Sequence, residues 1–168
     1  MPCIRPWNIA RIADNLLVRQ ERHPFELRWH ILCQGPDADP KGTNKTNESI
    51  DSIRDGWMFL FADDTVHHPS LFRRLGEVTT TNPNAGCIVF AQDRGDRILH
   101  PSPETMKVGM VCGGMVAYER SFVGDCRFDY ANRLHECDGA MVEALHAKDP
   151  SRFVYIDEVL TGFNSLER

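Results

Sequence analysis

The chain is short of positive charge and of any stretch that could cross a bilayer. Its 168 residues hold 19 Lys and Arg against 24 Asp and Glu, a formal net charge of −5. Nucleic-acid binding normally leaves a basic footprint, so no nucleic-acid partner is expected. No apolar run approaches the roughly 18 residues of a membrane-spanning helix, and the start shows no charged-then-apolar leader. The expectation is a cytoplasmic chain without a membrane span. Cysteine pairing is missing as well. Cys3, Cys33, Cys87, Cys112, Cys126 and Cys137 are scattered singly, no pair has zinc spacing, and reduced, mostly buried thiols are the default reading. Internal repeats, low-complexity segments and linkers are lacking too, so residues 1–168 read as one domain.

With 42% hydrophobic residues, there is ample material for a core. The chain is organised around Gly56–Leu75. Trp57-Met58-Phe59-Leu60-Phe61 has the length and flanks of a strand buried on both faces, and it stops at Asp63-Asp64. Leu71, Phe72, Leu75 and Val78 then fall at helical spacing, which predicts a helix over 70–79. Upstream, Ile9, Ile12, Ala13, Leu16 and Leu17 make one face of a first helix ending before Pro24. Phe25–Cys33 alternates cleanly, with Phe25, Leu27, Trp29, Ile31 and Cys33 on one side, and predicts a strand. Gln34–Lys45 is a loop rich in Gly, Pro, Asp and Asn, and a short helix carries Ile50 and Ile53. Gly86–Gln92 is a further strand, with Arg97–His100 as a short partner. Past Pro103 come the apolar run Val108–Tyr118, a helix over Gly139–Ala147 with Ala140, Met141, Ala144 and Leu145 inward, a short strand Phe153–Ile156, and a tail. Strand alternating with helix predicts parallel βαβ units. Trp29, Ile31, Phe59, Phe61, Ile88 and Phe90 are the expected core.

Three segments can carry chemistry, and each also has a plainer reading. Asp63-Asp64 is either a solvated turn or a pair of hard oxygen donors for a cation at a strand's carboxyl end. Gly113-Gly114 is either a bend or a place where a ligand or another backbone approaches closely. Glu136 and Asp138 either favour a helix N-terminus through its dipole or supply a base. His67 and His68 read as turn or surface residues, with metal binding as the alternative.

The order of these segments resembles the inverting nucleotide-sugar glycosyltransferases of the family 2 type, on the fold called GT-A. Pro2-Cys3-Ile4-Arg5-Pro6 stands where such enzymes carry a strand-to-helix turn lining the nucleoside pocket. Asn47 followed by Asp55-Gly56-Trp57 resembles the segment ahead of the metal motif. Ala62-Asp63-Asp64 falls on the acidic DxD motif, and Pro69 on the proline after it. Val111-Cys112-Gly113-Gly114-Met115 resembles the Gly-Gly loop near the acceptor. Val123–Asp129 resembles the run leading to the catalytic acid, and Glu136-Cys137-Asp138-Gly139 the acid segment itself.

The resemblance implies a GT-A-like (Rossmann-like) α/β domain, its sheet mostly parallel with helices on both faces and its first strand truncated. It implies transfer of a sugar from a nucleoside-diphosphate sugar, a UDP-sugar among the candidates, to a saccharide or other hydroxyl acceptor. Asp138 would be the base, with Glu136 the alternative. Asp64 and Asp63 would hold Mn²⁺ or Mg²⁺. Pro2, Arg5, Asn47 and Asp63 would meet the nucleotide, and Gly113 and Gly114 the acceptor. The sequence departs from the pattern at Ala62, at the first acidic position, and at Cys33-Gln34, where an Asp usually meets the base; Asp37 and Asp39 are the nearby substitutes. No histidine follows His146 to serve as a late metal ligand. A metal-dependent phosphohydrolase and a non-catalytic nucleotide-sugar-binding domain with a degenerate metal site are the alternatives.

Overall fold

The computed structural model describes residues 2–3, 6–33, 43–60, 62–129 and 136–163. Arg5, Asp37, Asp39 and Phe61, named above, lie outside them. Cys87–Asp93 is the strand on which the molecule is built: from Cys87 through Gln92 every residue is buried, the mark of a strand covered on both faces. In chain order the strands are β1 Pro2–Cys3, β2 Leu32–Cys33, β3 Trp57–Phe59, β4 Val66–His67, β5 Cys87–Asp93, β6 Ile98–Leu99, β7 Val116–Glu119 and β8 Phe153–Gly162. The α-helices are α1 Ile9–Ala13, continued by a π turn to Val18, α2 Thr43–Ser52, α3 Leu71–Thr81, α4 Arg120–Val123 and α5 Cys137–Lys148.

Six strands form one sheet in the order β3-β7-β5-β8-β4, with β6 also on β5. The sheet is mixed, which corrects the mostly parallel, GT-A-like (Rossmann-like) arrangement expected above. Among its described strands only β5–β8 runs parallel, whereas β3–β7, β5–β7, β4–β8 and β5–β6 are antiparallel. The cause lies in the connections. A parallel return needs a long crossover, but β5 turns straight back into β6 through Arg94–Arg97, where Gly95 takes φ +88° and Asp93 accepts its N–H. The chain then reaches β7 through short 3-10 turns rather than a helix packed across the sheet.

Phe25–Cys33 is a second correction. Its side chains alternate as predicted: Phe25, Leu27 and Trp29 are half-buried, while Glu26, Arg28 and His30 are exposed. Yet among the described residues only Leu32–Cys33 is paired, in parallel with Pro2–Cys3, in a separate two-stranded sheet. Ile31 is 42% exposed, against the expected burial. Alternation creates one apolar face, but a ladder also needs a neighbouring backbone. Here a cleft of about 790 Å³ lies between residues 26–31 and the edge strand β3.

At Trp57–Phe59 the expectation of a strand buried on both faces is also corrected: β3 is a three-residue edge strand with Trp57 and Phe59 only half-buried. Elsewhere the pattern reads well. α3 buries Leu71, Phe72, Leu75 and Gly76, with Val78 packed at the margin. Ile88 and Phe90 are fully buried, and Ile50 anchors α2. Phe59 is partly buried against the same core. The last strand runs to Gly162, well past the predicted Ile156, because an irregularity at Asp157-Glu158 interrupts its apolar pattern without ending it. α5 buries Cys137, Gly139, Met141, Val142 and Leu145, so its inner face is turned away from the predicted Ala144, which is exposed.

Candidate functional site

The segment after β3 makes a turn closed by Thr65 N–H on the Ala62 carbonyl at 3.2 Å, with Asp63 and Asp64 at its centre. Both carboxylate residues are buried, at 8% and 3% exposure. Two asparagines from the N-terminal helix hold this stretch. Asn8 Nδ2 donates to the Asp63 carbonyl at 3.0 Å, and Asn15 Nδ2 donates to the His67 carbonyl at 2.9 Å. Asn15 Oδ1 accepts the His67 backbone N–H at 2.8 Å and lies 3.0 Å from its Nδ1. Asn8, in the 3-10 turn Pro6–Asn8 ahead of α1, and Asn15, in the π turn that continues it, are buried with Ile12 and Leu16. Reading the chain for apolar positions alone misses these two amides; polar residues at heptad spacing within an apolar face are the signal that would find them.

His67 is not the surface residue expected. It is 1% exposed, packs edge-on to Phe59 at 5.4 Å, and burial lowers its pKa to about 3. It is therefore neutral and serves the core. His68, beside it, is exposed and meets Ser70 Oγ at 2.7 Å.

Asp138 lies in the first turn of α5. Its two oxygens are held separately. Gly113 N–H donates to Oδ2 at 3.0 Å, and the Cys137 thiol approaches Oδ1 at 3.5 Å. Burial, then the neighbouring Asp138 charge, pushes the Cys137 thiol up to about 12, so it remains a donor rather than a nucleophile. Glu136, at the helix boundary, is exposed and makes no side-chain cap.

The glycines bring these parts together. A methyl group at Gly113 would stand 3.0 Å from Asp138 Oδ2, and one at Gly114 would stand 4.0 Å from the Leu60 carbonyl, three residues before Asp63. At Gly139 it would stand 2.8 Å from Val108 Cα, so the absence of a side chain lets the segment leading to the Gly-Gly turn lie against α5. The turn thus spans the gap between the end of β3 and Asp138. Leu60 also lines the cleft, whose walls include Arg28, Trp29, Arg54, Trp57 and Asp63.

Asn47, expected at the nucleotide, is held by the segment that follows α4. Its amide is engaged with the Phe128 backbone, donating to the carbonyl and accepting the N–H, both at 3.1 Å. Arg120 Nε completes this anchorage by donating to the Ile50 and Ile53 carbonyls at 3.2 and 2.9 Å. Pro2 is in β1, paired with Leu32. Among the described residues, no three His, Cys, Asp or Glu side chains converge as a metal-holding group. Asp63 and Asp64 offer oxygen donors of the kind Mg²⁺ or Mn²⁺ takes, and the rest of such a shell would have to come from phosphate and water.

No family model and no curated protein matches this chain.

Proposed function

We propose that the protein is a metal-assisted sugar-nucleotide transferase, with Asp138 as its general base. The observation that carries this reading is the Gly113 N–H to Asp138 Oδ2 hydrogen bond at 3.0 Å, with Gly114 against the Leu60 carbonyl. It links Asp138 to the Gly113-Gly114 turn, which lies beside Leu60, three residues ahead of Asp63 in the chain.

The donor would lie in the cleft, with its nucleoside against Trp29 and Trp57, its diphosphate toward Asp63, and Arg28 and Arg54 offsetting its charge. Asp63 and Asp64 would hold Mn²⁺ or Mg²⁺, which supplies Lewis-acid neutralisation of the diphosphate when bound. Asp138 takes the proton from the acceptor hydroxyl. The acceptor oxygen bonds to the anomeric carbon as that carbon's bond to the phosphate oxygen breaks. The nucleoside diphosphate leaves as an anion with the electron pair, and the configuration inverts. Gly113 N–H, donating to Oδ2 at 3.0 Å, holds the carboxylate in place while it takes the proton.

The test is a thermal-shift panel of UDP, GDP, UDP-glucose and GDP-mannose, each with and without Mn²⁺. A nucleotide at about 100 times its dissociation constant should add roughly 2.7 kcal/mol of stability. Mn²⁺-dependent stabilisation by a nucleoside diphosphate is the expected result. No stabilisation by any of them overturns the reading. Stabilisation indifferent to Mn²⁺ leaves a sugar-nucleotide binder without the metal site.

A further inference from the structure

A polar pair lies beneath the Gly-Gly turn in an otherwise apolar part of the sheet. Gln92 on β5 and Thr161 on β8 are partners across the parallel ladder, at 0% and 2% exposure. Gln92 Nε2 donates to Thr161 Oγ1 at 3.2 Å, and the Thr161 hydroxyl donates to the Gly114 carbonyl at 3.1 Å. The direction of this relay is fixed, because a hydroxyl has one proton and spends it on the carbonyl. Gly113, the residue before, donates its own N–H to Asp138. The turn rests directly on the amide: a methyl at Gly114 would stand 3.1 Å from Gln92 Nε2. Gln92 Oε1 is buried and has no hydrogen-bond partner among the described residues.

We propose that Gln92 and Thr161 are positioning residues that lock the Gly113-Gly114 turn and thereby orient the Asp138 carboxylate. The catalytic consequence rests on the transferase reading above; the orientation itself does not. Thr161→Val removes the hydroxyl at constant shape, and Thr161→Ser restores it. Two readouts are taken: amide hydrogen exchange at Gly113, with Ile88 and Val89 in the core as internal reference, and release of UDP from UDP-glucose with Mn²⁺.

In Thr161→Val, Gly113 exchange should rise about tenfold relative to Ile88 and Val89, the scale of one lost hydrogen bond. UDP release should lose about tenfold in kcat with KM within twofold, and Thr161→Ser should return both to near wild type. Gly113 exchange that is unchanged, or that rises only in step with Ile88, overturns the proposal. If Thr161→Val does not fold, Gln92→Met carries the same two measurements, and the same outcomes support or overturn the proposal. The two readings fail separately. A responsive Gly113 in a protein that releases no UDP from any sugar nucleotide supports the positioning pair and removes the transferase. Turnover that ignores Thr161→Val, with Gly113 exchange unmoved, does the reverse.

Discussion

At the scale of single residues, the choice of base is between two carboxylates two positions apart, and their surroundings separate them. Asp138 is half-buried, in the first turn of α5, and held by Gly113; Glu136 is exposed and makes no cap. Asp138→Asn keeps the shape and the Gly113 contact but cannot take a proton. It should lower transfer by on the order of a hundredfold to ten-thousandfold with donor affinity nearly unchanged, whereas Glu136→Gln should stay within a few fold. Steady-state transfer rates and donor titrations on the two variants check this. Full activity in Asp138→Asn with loss in Glu136→Gln would assign the base to Glu136 instead. Asp64→Asn addresses the other pole of the site. Binding of UDP should lose its Mn²⁺ dependence, read by calorimetric titration, while the unfolding profile without ligand, read by a thermal scan, is preserved. Asp138 and the Asp-Asp pair are legible in the sequence because acids at a helix start and a strand end are positional signals. Asn8 and Asn15 show only as polar residues at heptad spacing within an apolar face, and Gln92 and Thr161 are not legible, since they sit in apolar strands and meet only through the ladder pairing of β5 with β8.

At the scale of elements, what can be read is what side-chain periodicity controls. The spacing of Leu71, Phe72 and Leu75 predicts α3, and the continuous run around Ile88-Val89-Phe90 predicts β5. The same spacing locates α5 but misplaces its face, since Ala140 and Ala144 are small enough to face either way, while Cys137 and Val142 take the core. The Gly113-Gly114 pair signals close approach, and the approaching group proves to be Asp138. Two substitutions separate packing from chemistry there. Gly139→Ala drives a methyl into the Val108 backbone at 2.8 Å, where no flexible side chain can give way, and should cost about 1–3 kcal/mol in denaturant unfolding. Gly113→Ala meets the end of the Asp138 side chain at 3.0 Å, which can swing aside. It should therefore depress turnover more than it lowers the melting temperature. A Gly113→Ala variant with normal turnover would show that the orientation of Asp138 does not matter to the reaction.

At the scale of the whole molecule, strand direction is the feature least legible in the sequence. Periodicity marks a residue as inside or outside; it says nothing of which neighbour a strand takes or which way that neighbour runs. Phe25–Trp29 shows the limit, alternating as a strand should while its backbone faces a cleft rather than a ladder. Long-range ties decide such matters, and His67 is one of them: its backbone and ring join β4 to Asn15 on the N-terminal helix, with Phe59 packed against it. That tie has a pH signature. Burial lowers the folded pKa of His67 from 6.5 to about 3, so between those values the unfolded chain binds a proton that the folded one refuses. Stability must then rise with pH across that window and be lost as pH falls from about 6.5 toward 3, with a limiting slope near 1.4 kcal/mol per pH unit. From pH 6 to pH 4 the loss due to this one group should be roughly 2.5 kcal/mol. His67→Gln retains a side-chain donor for Asn15 but does not titrate. Urea unfolding of both proteins at pH 6 and pH 4 isolates the histidine, because the carboxylates contribute equally to each. Wild type should lose the larger amount on acidification, by that margin; equal losses would show that His67 takes up its proton without leaving the folded state.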